Sequence, residues 1–227
     1  MARRTRQQAL ATRQDILDAA VQVFVERGFQ RSSMQHVAER AGVTRGAVYW
    51  HFQDRLELLE ALLDATPLPW QVLAATPEPV AAGAHAALPT QALIRMAMAP
   101  LVWLEGSVLA QQLLCIVWQM DALGHATRLG ARLLADRNAA LQRLQIALAQ
   151  AAKANPADAA GAALGVFALV DGLMHQWLRQ PTAFGLVAVG TQAVPSLLVG
   201  LLQSPCLGAS IAIKRGAISA YPSSARA

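Results

Sequence analysis

The chain has 227 residues and 24.1 kDa, enough for one sizeable core or two small ones. Hydrophobic residues make up 55% and charged residues only 15%, which excludes a disordered chain. The net charge of +5 is unevenly placed: nine arginines face five acids in residues 1–56, seven bases face nine acids in 57–213, and three bases lie beyond. A basic first quarter on a near-neutral body points to a nucleic-acid face on a body with another job.

Much of the hydrophobic excess is alanine and leucine, which favours helices over sheets, so an all-α fold is expected. Cys115 and Cys206 lie far apart in apolar surroundings, with no metal spacing and no redox pair, and read as small buried hydrophobes of a reducing cytosol. No apolar signal segment follows the basic N-terminus. Gly106–Met120 is uncharged but shorter than a spanning helix needs, and Pro195 and Pro205 interrupt the longer uncharged stretch Thr182–Ile213.

Residues 1–11 read as a basic, polar arm without apolar period. Thr12-x-x-Asp15 resembles a capping box, so a helix is expected to open at Thr12. Ile16, Ala19, Ala20, Val23 and Phe24 then mark one helical face, and Gly28 ends it. Ser33 can cap a short second helix to about Arg40, Thr44 a third over Arg45–His51, and Asp54-x-x-Glu57 a fourth that buries Leu58, Leu59, Leu62 and Leu63. Thr66-Pro67-Leu68-Pro69 breaks the fourth helix, and residues 74–90 read as a loop. From Thr90 to Gln203 the pattern is helical again, with breaks near Pro100, Gly124, Asn155-Pro156 and Gln180-Pro181. The division expected is 1–11 arm, 12–55 N-terminal helical domain, 56–203 larger helical domain, and 204–227 disordered tail.

The second and third helices carry the functional signal. A helix-turn-helix needs a small residue where its helices touch, a turn residue, and apolar residues at fixed distances. Ala38 is the small contact, Gly42 makes the turn, Val43 plugs it, and Val48 faces back toward Val37 and Ala38. On the exposed side, Arg45 lies in the first turn, where it can bridge guanine O6 and N7. Thr44 and the backbone N–H groups of the helix start can hold a phosphate. Gly46 and Ala47 permit close approach to the groove, while Tyr49, Trp50 and His51 suit phosphate, sugar and thymine methyl contacts. Phe52 is expected to pack inward.

The run Ala41-Gly42-Val43-Thr44-Arg45-Gly46-Ala47-Val48-Tyr49-Trp50-His51-Phe52 resembles the signature of TetR-family transcriptional repressors, closest to the AcrR/TtgR-like branch that controls multidrug efflux pumps. Met1-Ala2-Arg3-Arg4-Thr5-Arg6-Gln7 and Thr12-Arg13-Gln14-Asp15-Ile16-Leu17-Asp18-Ala19-Ala20 resemble the same branch, as does Val170–Leu178 more weakly. The resemblance implies a cytoplasmic homodimer of helical subunits that binds a palindromic double-stranded DNA operator and releases it on binding a small hydrophobic effector. At matching positions it implies DNA contacts by Ser33, Thr44, Arg45, Tyr49, His51 and Arg55, and a dimer built from helices near 157–179 and 184–203. The middle helix departs from the branch: Cys115-Ile116-Val117-Trp118-Gln119 is far more apolar than the polar run usual there.

An effector pocket wants apolar walls and a few polar anchors. Trp103, Cys115, Trp118 and Gln119 are candidates for one wall, Phe167, Asp171, Met174 and His175 for another, and Met96 for an end. Core or dimer packing is the competing reading for each of them. Asp171 and His175, one turn apart, need partners if buried and can pair with each other. His36, His51, His85, His125 and His175 are scattered, without nucleophile, metal or phosphate-loop spacing, so no catalysis, metal or cofactor is expected. The competing readings are a membrane-associated helical protein, resting on hydropathy alone, and a DNA-binding regulator without an effector.

Overall fold

The computed structural model describes residues 2–76, 90–121 and 128–204. The expected breaks and tail around Pro77, Pro79, His85, Gly124, His125 and Cys206 lie outside the described residues. Among the described residues every regular element is helical, as the composition predicts.

The first helix, α1 (Ala2–Arg27), starts well before Thr12, which is mid-helix and not a cap. The expected arm of residues 1–11 is therefore helical from Ala2. Gln, Arg and Ala are good helix formers, and a strong downstream helix extends through them without an apolar face of their own. Ile16, Ala20 and Phe24 are fully buried, with Ala19 and Val23 beside them. Gly28 ends the helix at φ 75°, in the left-handed half of backbone space where a Cβ is strained. A 3₁₀ turn, Phe29–Arg31, follows and packs the Phe29 ring edge-on against Phe24 at 5.1 Å.

Helices α2 (Met34–Ala41) and α3 (Arg45–His51) begin where the caps predict. Ser33 accepts the His36 N–H at 3.2 Å, and Thr44 accepts the Ala47 N–H at 3.1 Å. Helix α4 (Arg55–Ala65) begins with Asp54 accepting the Glu57 N–H at 2.9 Å, while Glu57 reaches back one residue further, to the Gln53 N–H.

The Thr66–Pro69 break is real, but Pro69 also starts α5 (Pro69–Ala75), a helix not anticipated from the sequence that meets the expected 74–90 loop only at its last two residues. Proline suits the first helical position because its missing N–H has no intrahelical partner there. The same residue type that stops one helix thus opens the next. Helix α6 (Thr90–Gly106) runs straight through Pro100, against the break expected there. The turn falls at Gly106-Ser107 instead, where α6 and α7 (Val108–Asp121) bend by 103° and the Ser107 hydroxyl accepts the Ala110 N–H. Pro100 is buried, and the packing around it offsets the lost backbone hydrogen bond.

Helix α8 (Arg128–Ala152) ends before Asn155-Pro156, as expected, and a second 3₁₀ turn, Pro156–Ala159, leads into α9 (Ala160–Arg179). The Gln180-Pro181 break precedes α10 (Leu186–Gln203), which carries Pro195 within it. One contiguous apolar core links α1 to the larger C-terminal body. Gly190 lets α10 cross α6 closely: a Cβ there would stand 2.5 Å from Leu101 Cδ1. Helices α9 and α10 are long and apolar enough to cross a membrane by length and composition, yet most of each lies uncovered in a single chain.

The turn between α2 and α3 rests on Gly42, whose φ of 67° is left-handed and whose missing Cβ meets nothing nearby. Gly42→Ala is therefore expected to lower unfolding stability by about 1–2 kcal/mol through backbone strain alone. Gly42→Asn should lose less, because asparagine tolerates this region. Urea unfolding of the two variants checks both.

Candidate nucleic-acid interface

The helix-turn-helix is locked onto α1. Val37 and Ala38 on α2 and Val48 on α3 are buried together, and the Val43 N–H donates to the Ala38 carbonyl at 3.1 Å across the turn. At the rim, the Arg40 guanidinium donates to Gln22 and grips Glu26, and this contact holds the Glu26 carboxyl below its usual range. Phe52 is buried as expected, with the Arg13 guanidinium 4.9 Å above its ring.

With Val48 and Phe52 turned inward, α3 presents the rest of its surface to solvent. Thr44, Arg45 and Gly46 are exposed at its start. Tyr49 is 44% exposed and Trp50 is 74% exposed. An indole that bare is expensive to keep in water unless something covers it. Arg45 is pre-arranged: its Nη2 donates to the Tyr49 hydroxyl at 3.3 Å and its guanidinium lies 5.2 Å from the Tyr49 ring centroid. Holding a long side chain over a ring lowers the entropy lost when it meets a base edge. His51 is half-buried and edge-on to Trp50 at 4.5 Å. Burial, with the nearby Arg13 charge second, lowers its pKa from 6.5.

Ser33 and Arg55 have work within the protein. Ser33 caps α2. Arg55 Nη1 donates to the carbonyls of Phe29 (2.8 Å), Gln30 (3.0 Å) and Ser32 (2.6 Å), and its guanidinium sits over the Phe29 ring. This clamp of α4 onto the 3₁₀ turn is invisible in the sequence, because 23–26 residues separate donor and acceptors.

In the body, the effector candidates do not line one pocket. Phe167, Asp171 and Met174 do come together, with Trp70, Leu73, Pro100 and Val170, around a small crevice between α5, α6 and α9. The buried Trp70 indole N–H on that wall has no hydrogen-bond partner among the described residues. Asp171 pairs with Arg137 of α8, not with His175. His175 is exposed and packs its ring on Trp118 at 4.6 Å. Cys115 is partly buried, which pushes its thiol pKa up. Met96 lies in the core, and Trp103 is tied through its indole N–H to the Pro67 carbonyl at 2.9 Å. Gln119 lies elsewhere, in a groove of about 150 Å³ shared with Met120 and the Arg27–Arg31 segment. Sequence reasoning misses Trp70 and Arg137, because no helix is anticipated between Pro69 and the 74–90 loop and Arg137 reads as one more solvated charge.

Arg45→Ala should weaken discrimination at one base position by roughly 1–3 kcal/mol. A selection of bound sequences that returns the same preference for both proteins would refute that assignment. His51 gives a pH prediction with a definite sign. Its folded-state pKa lies below the unfolded value, so it is neutral at pH 7, and protonation as pH falls below about 6.5 favours the unfolded chain. A DNA phosphate beside it favours the charged form. Operator affinity should therefore rise from pH 7.5 to 5.5 in the wild type, and His51→Gln should flatten that rise in fluorescence-anisotropy titrations.

Comparison with known proteins agrees with this geometry. Residues 16–62 match the family model described as bacterial regulatory proteins, tetR family. Over 215 residues the chain is 32% identical to the HTH-type transcriptional regulator TtgR of Pseudomonas putida, covering 91% of this chain and 99% of TtgR. Over 218 residues it is 30% identical to AcrR of Shigella flexneri, covering 91% and 97%. Among solved structures, the SmeT–triclosan complex superposes with a TM-score of 0.65 at 30% identity, covering 84% of this chain and 91% of SmeT. SmeT is the repressor of the Stenotrophomonas maltophilia multidrug efflux pump SmeDEF. With an inward-packed helix-turn-helix, an outward Arg45–Trp50 surface and full-length relatives of this kind, the chain belongs to the TetR family of bacterial transcriptional regulators.

Proposed function

We propose that the protein is a cytoplasmic repressor of a multidrug efflux operon, which binds a palindromic operator as a homodimer and leaves it when a small hydrophobic effector binds the body. The observation that carries the DNA half is the outward face of α3. Arg45, Tyr49 and the 74%-exposed Trp50 stand together on a capped, buried-backed helix. The efflux half is supported by the relatives, of which SmeT carries triclosan in the complex above. The body holds a small apolar crevice of about 10 Å³ with an orphaned indole N–H, and a ligand of this kind enters it only as the walls open.

Dimerisation is supported by α9 and α10. Leu164 is 54% and Val199 41% exposed on helices whose apolar surface one chain leaves largely uncovered. A second copy with a two-fold axis covers both faces at once and sets two α3 helices about one DNA turn, near 34 Å, apart. Effector binding favours a subunit arrangement with the wrong separation, and substantial release needs a preference of several kcal/mol for that state.

The test starts from DNA fragments of the source genome that the purified protein retains. Hydrophobic drugs and phenols should release the retained fragment in a mobility shift, and a fragment indifferent to all of them would refute the effector half. Leu164→Glu should yield a folded monomer by sedimentation, with operator affinity at least about tenfold weaker, since one half-site contact set is lost.

A further inference from the structure

The groove between the end of α7 and the 3₁₀ turn Phe29–Arg31 holds about 150 Å³, against about 10 Å³ for the crevice in the body. A space of that size takes about one six-membered ring. Local backbone geometry keeps it open. The chain turns at Gly28 with φ 75°, where a side chain is strained. A Cβ there would already reach Gln119 Oε1 at 3.5 Å, so the missing side chain is part of the groove's room. Phe29 and Met120 supply the apolar wall. Phe29 is buried and fixed by its edge-on contact with Phe24, whereas Met120 is half-buried and its flexible thioether adapts to what it meets.

The rim is positive. Arg27 and Arg31 line the groove and are exposed, and among the described residues neither makes an ion pair. Glu26, the acid beside Arg27 in the chain, is already gripped by Arg40. The carbonyls of the turn, which would repel an anion, are occupied. That of Gly28 accepts the Ser32 hydroxyl at 2.8 Å, and those of Phe29 and Gln30 accept Arg55 at 2.8 and 3.0 Å. Arg55 thereby brings a third guanidinium to the turn, 5.3 Å from the Phe29 ring centroid.

We propose that this groove binds a small organic monocarboxylate of one ring, with its carboxylate on Arg27 and Arg31 and its ring against Phe29 and Met120. Guanidinium forks match the geometry of a carboxylate and form charge-assisted hydrogen bonds with it. A bare phosphate uses the same charges but leaves the apolar wall wet. A neutral ring covers the wall but gains nothing from the arginines. A multi-ring drug exceeds the room. The site is separate from the crevice between α5, α6 and α9, and it does not rest on the effector reading above. It lies where the DNA-reading unit meets the body. The turn is the segment that Arg55 clamps ahead of α2, and Met120 belongs to α7, so an occupant bridges the two.

The test titrates benzoate, benzamide and inorganic phosphate, at fixed ionic strength, into the full-length protein without DNA. The Met120 methyl signal is followed by NMR on protein carrying labelled methionine, and Met120→Leu assigns it among the six methionines. Benzoate should shift that signal saturably, with a Kd of about 1 mM for so small a ligand. Benzamide, of the same shape without the charge, and phosphate, with charge and no ring, should each bind at least about tenfold more weakly. The double variant Arg27→Gln, Arg31→Gln alters two exposed side chains and should weaken benzoate by about tenfold while its circular dichroism stays unchanged. Met120→Trp fills the groove and should abolish the heat of benzoate binding in calorimetry, and Gln119→Trp does the same from the next position if that variant fails to fold. A Met120 signal that benzoate does not move overturns the proposal, as does benzamide binding equal to that of benzoate. Phosphate binding as tightly as benzoate reduces the site to a plain cationic patch and overturns it too, and so does benzoate affinity unchanged in the double arginine variant. Operator release by hydrophobic drugs is read separately, and it decides the repressor reading whatever benzoate does.

Discussion

The orientation of the DNA-reading surface depends on one clamp. Arg55, at the head of α4, gathers the carbonyls of Phe29, Gln30 and Ser32 with a single nitrogen. Those carbonyls belong to the 3₁₀ turn that joins α1 to α2, and α2 in turn positions α3. The clamp therefore makes α4 a strut under the helix-turn-helix. The strut is held at its other end as well, where Asp64 meets Arg132 of α8. The Asp64–Arg132 pair is weak in isolation, since both side chains are exposed to solvent. What the two contacts supply is geometry: a rigid helix pinned at both ends carries a shift from one end to the other.

Helix α8 carries several polar ties to the other helices. Arg132 meets α4, Asp136 accepts the Gln71 amide of α5 at 2.8 Å, Arg137 meets Asp171 of α9, and Arg143 donates to the Thr76 carbonyl at 3.1 Å. Such ties are directional, whereas the apolar contacts beside them tolerate sliding. A helix held this way has few alternative seatings, and each differs by a definite exchange of partners. That is the kind of element whose equilibrium two sites can bias, although spatial continuity by itself is not coupling. Double-mutant cycles between Asp64 and Asp171 partners measure whether it is.

The sequence is legible where one local rule decides the outcome. The Ile16–Phe24 stripe, the Ser33, Thr44 and Asp54 caps and the Gly28 and Gly42 stops follow from spacing within one or two turns, and the structure places each where that spacing puts it. It is illegible where two rules compete. Proline means both stop and start, so Pro69 hides α5 and Pro100 suggests a break that core packing overrides. The arm looks structureless in sequence because helices can extend without an apolar face. The crevice is half legible: Phe167, Asp171 and Met174 share one helix at near-helical spacing, whereas Trp70 and Arg137 join them only through the tertiary fold. Gln119 shows the same limit in reverse. Its neighbour Trp118 faces α9, and one residue on, a rotation of about 100° sends Gln119 toward Gly28 instead.

Apolar composition gives a last step. The body's high hydropathy concentrates in α9 and α10, and within one chain that surface goes unburied, Leu164 and Val199 among it. A surface of this kind needs a cover, and membrane and protein partners make different demands on it. A lipid-facing helix needs only to be apolar along its length. A helix that packs on a copy of itself needs a face on which backbones approach closely and which alternates small and large residues. Gly161, Leu164, Gly165, Ala168, Gly172 and Gln176 lie along the exposed side of α9 at helical spacing, small residues interleaved with one large one and ending in an amide. That texture is built for a shaped partner. Two such faces in register make an interface whose geometry a shift of α9 alters directly, and α9 is also the helix that carries Phe167 and Asp171. In the proposed dimer the crevice and the subunit contact lie on two sides of one helix, so an occupant of the first would bear on the angle of the second.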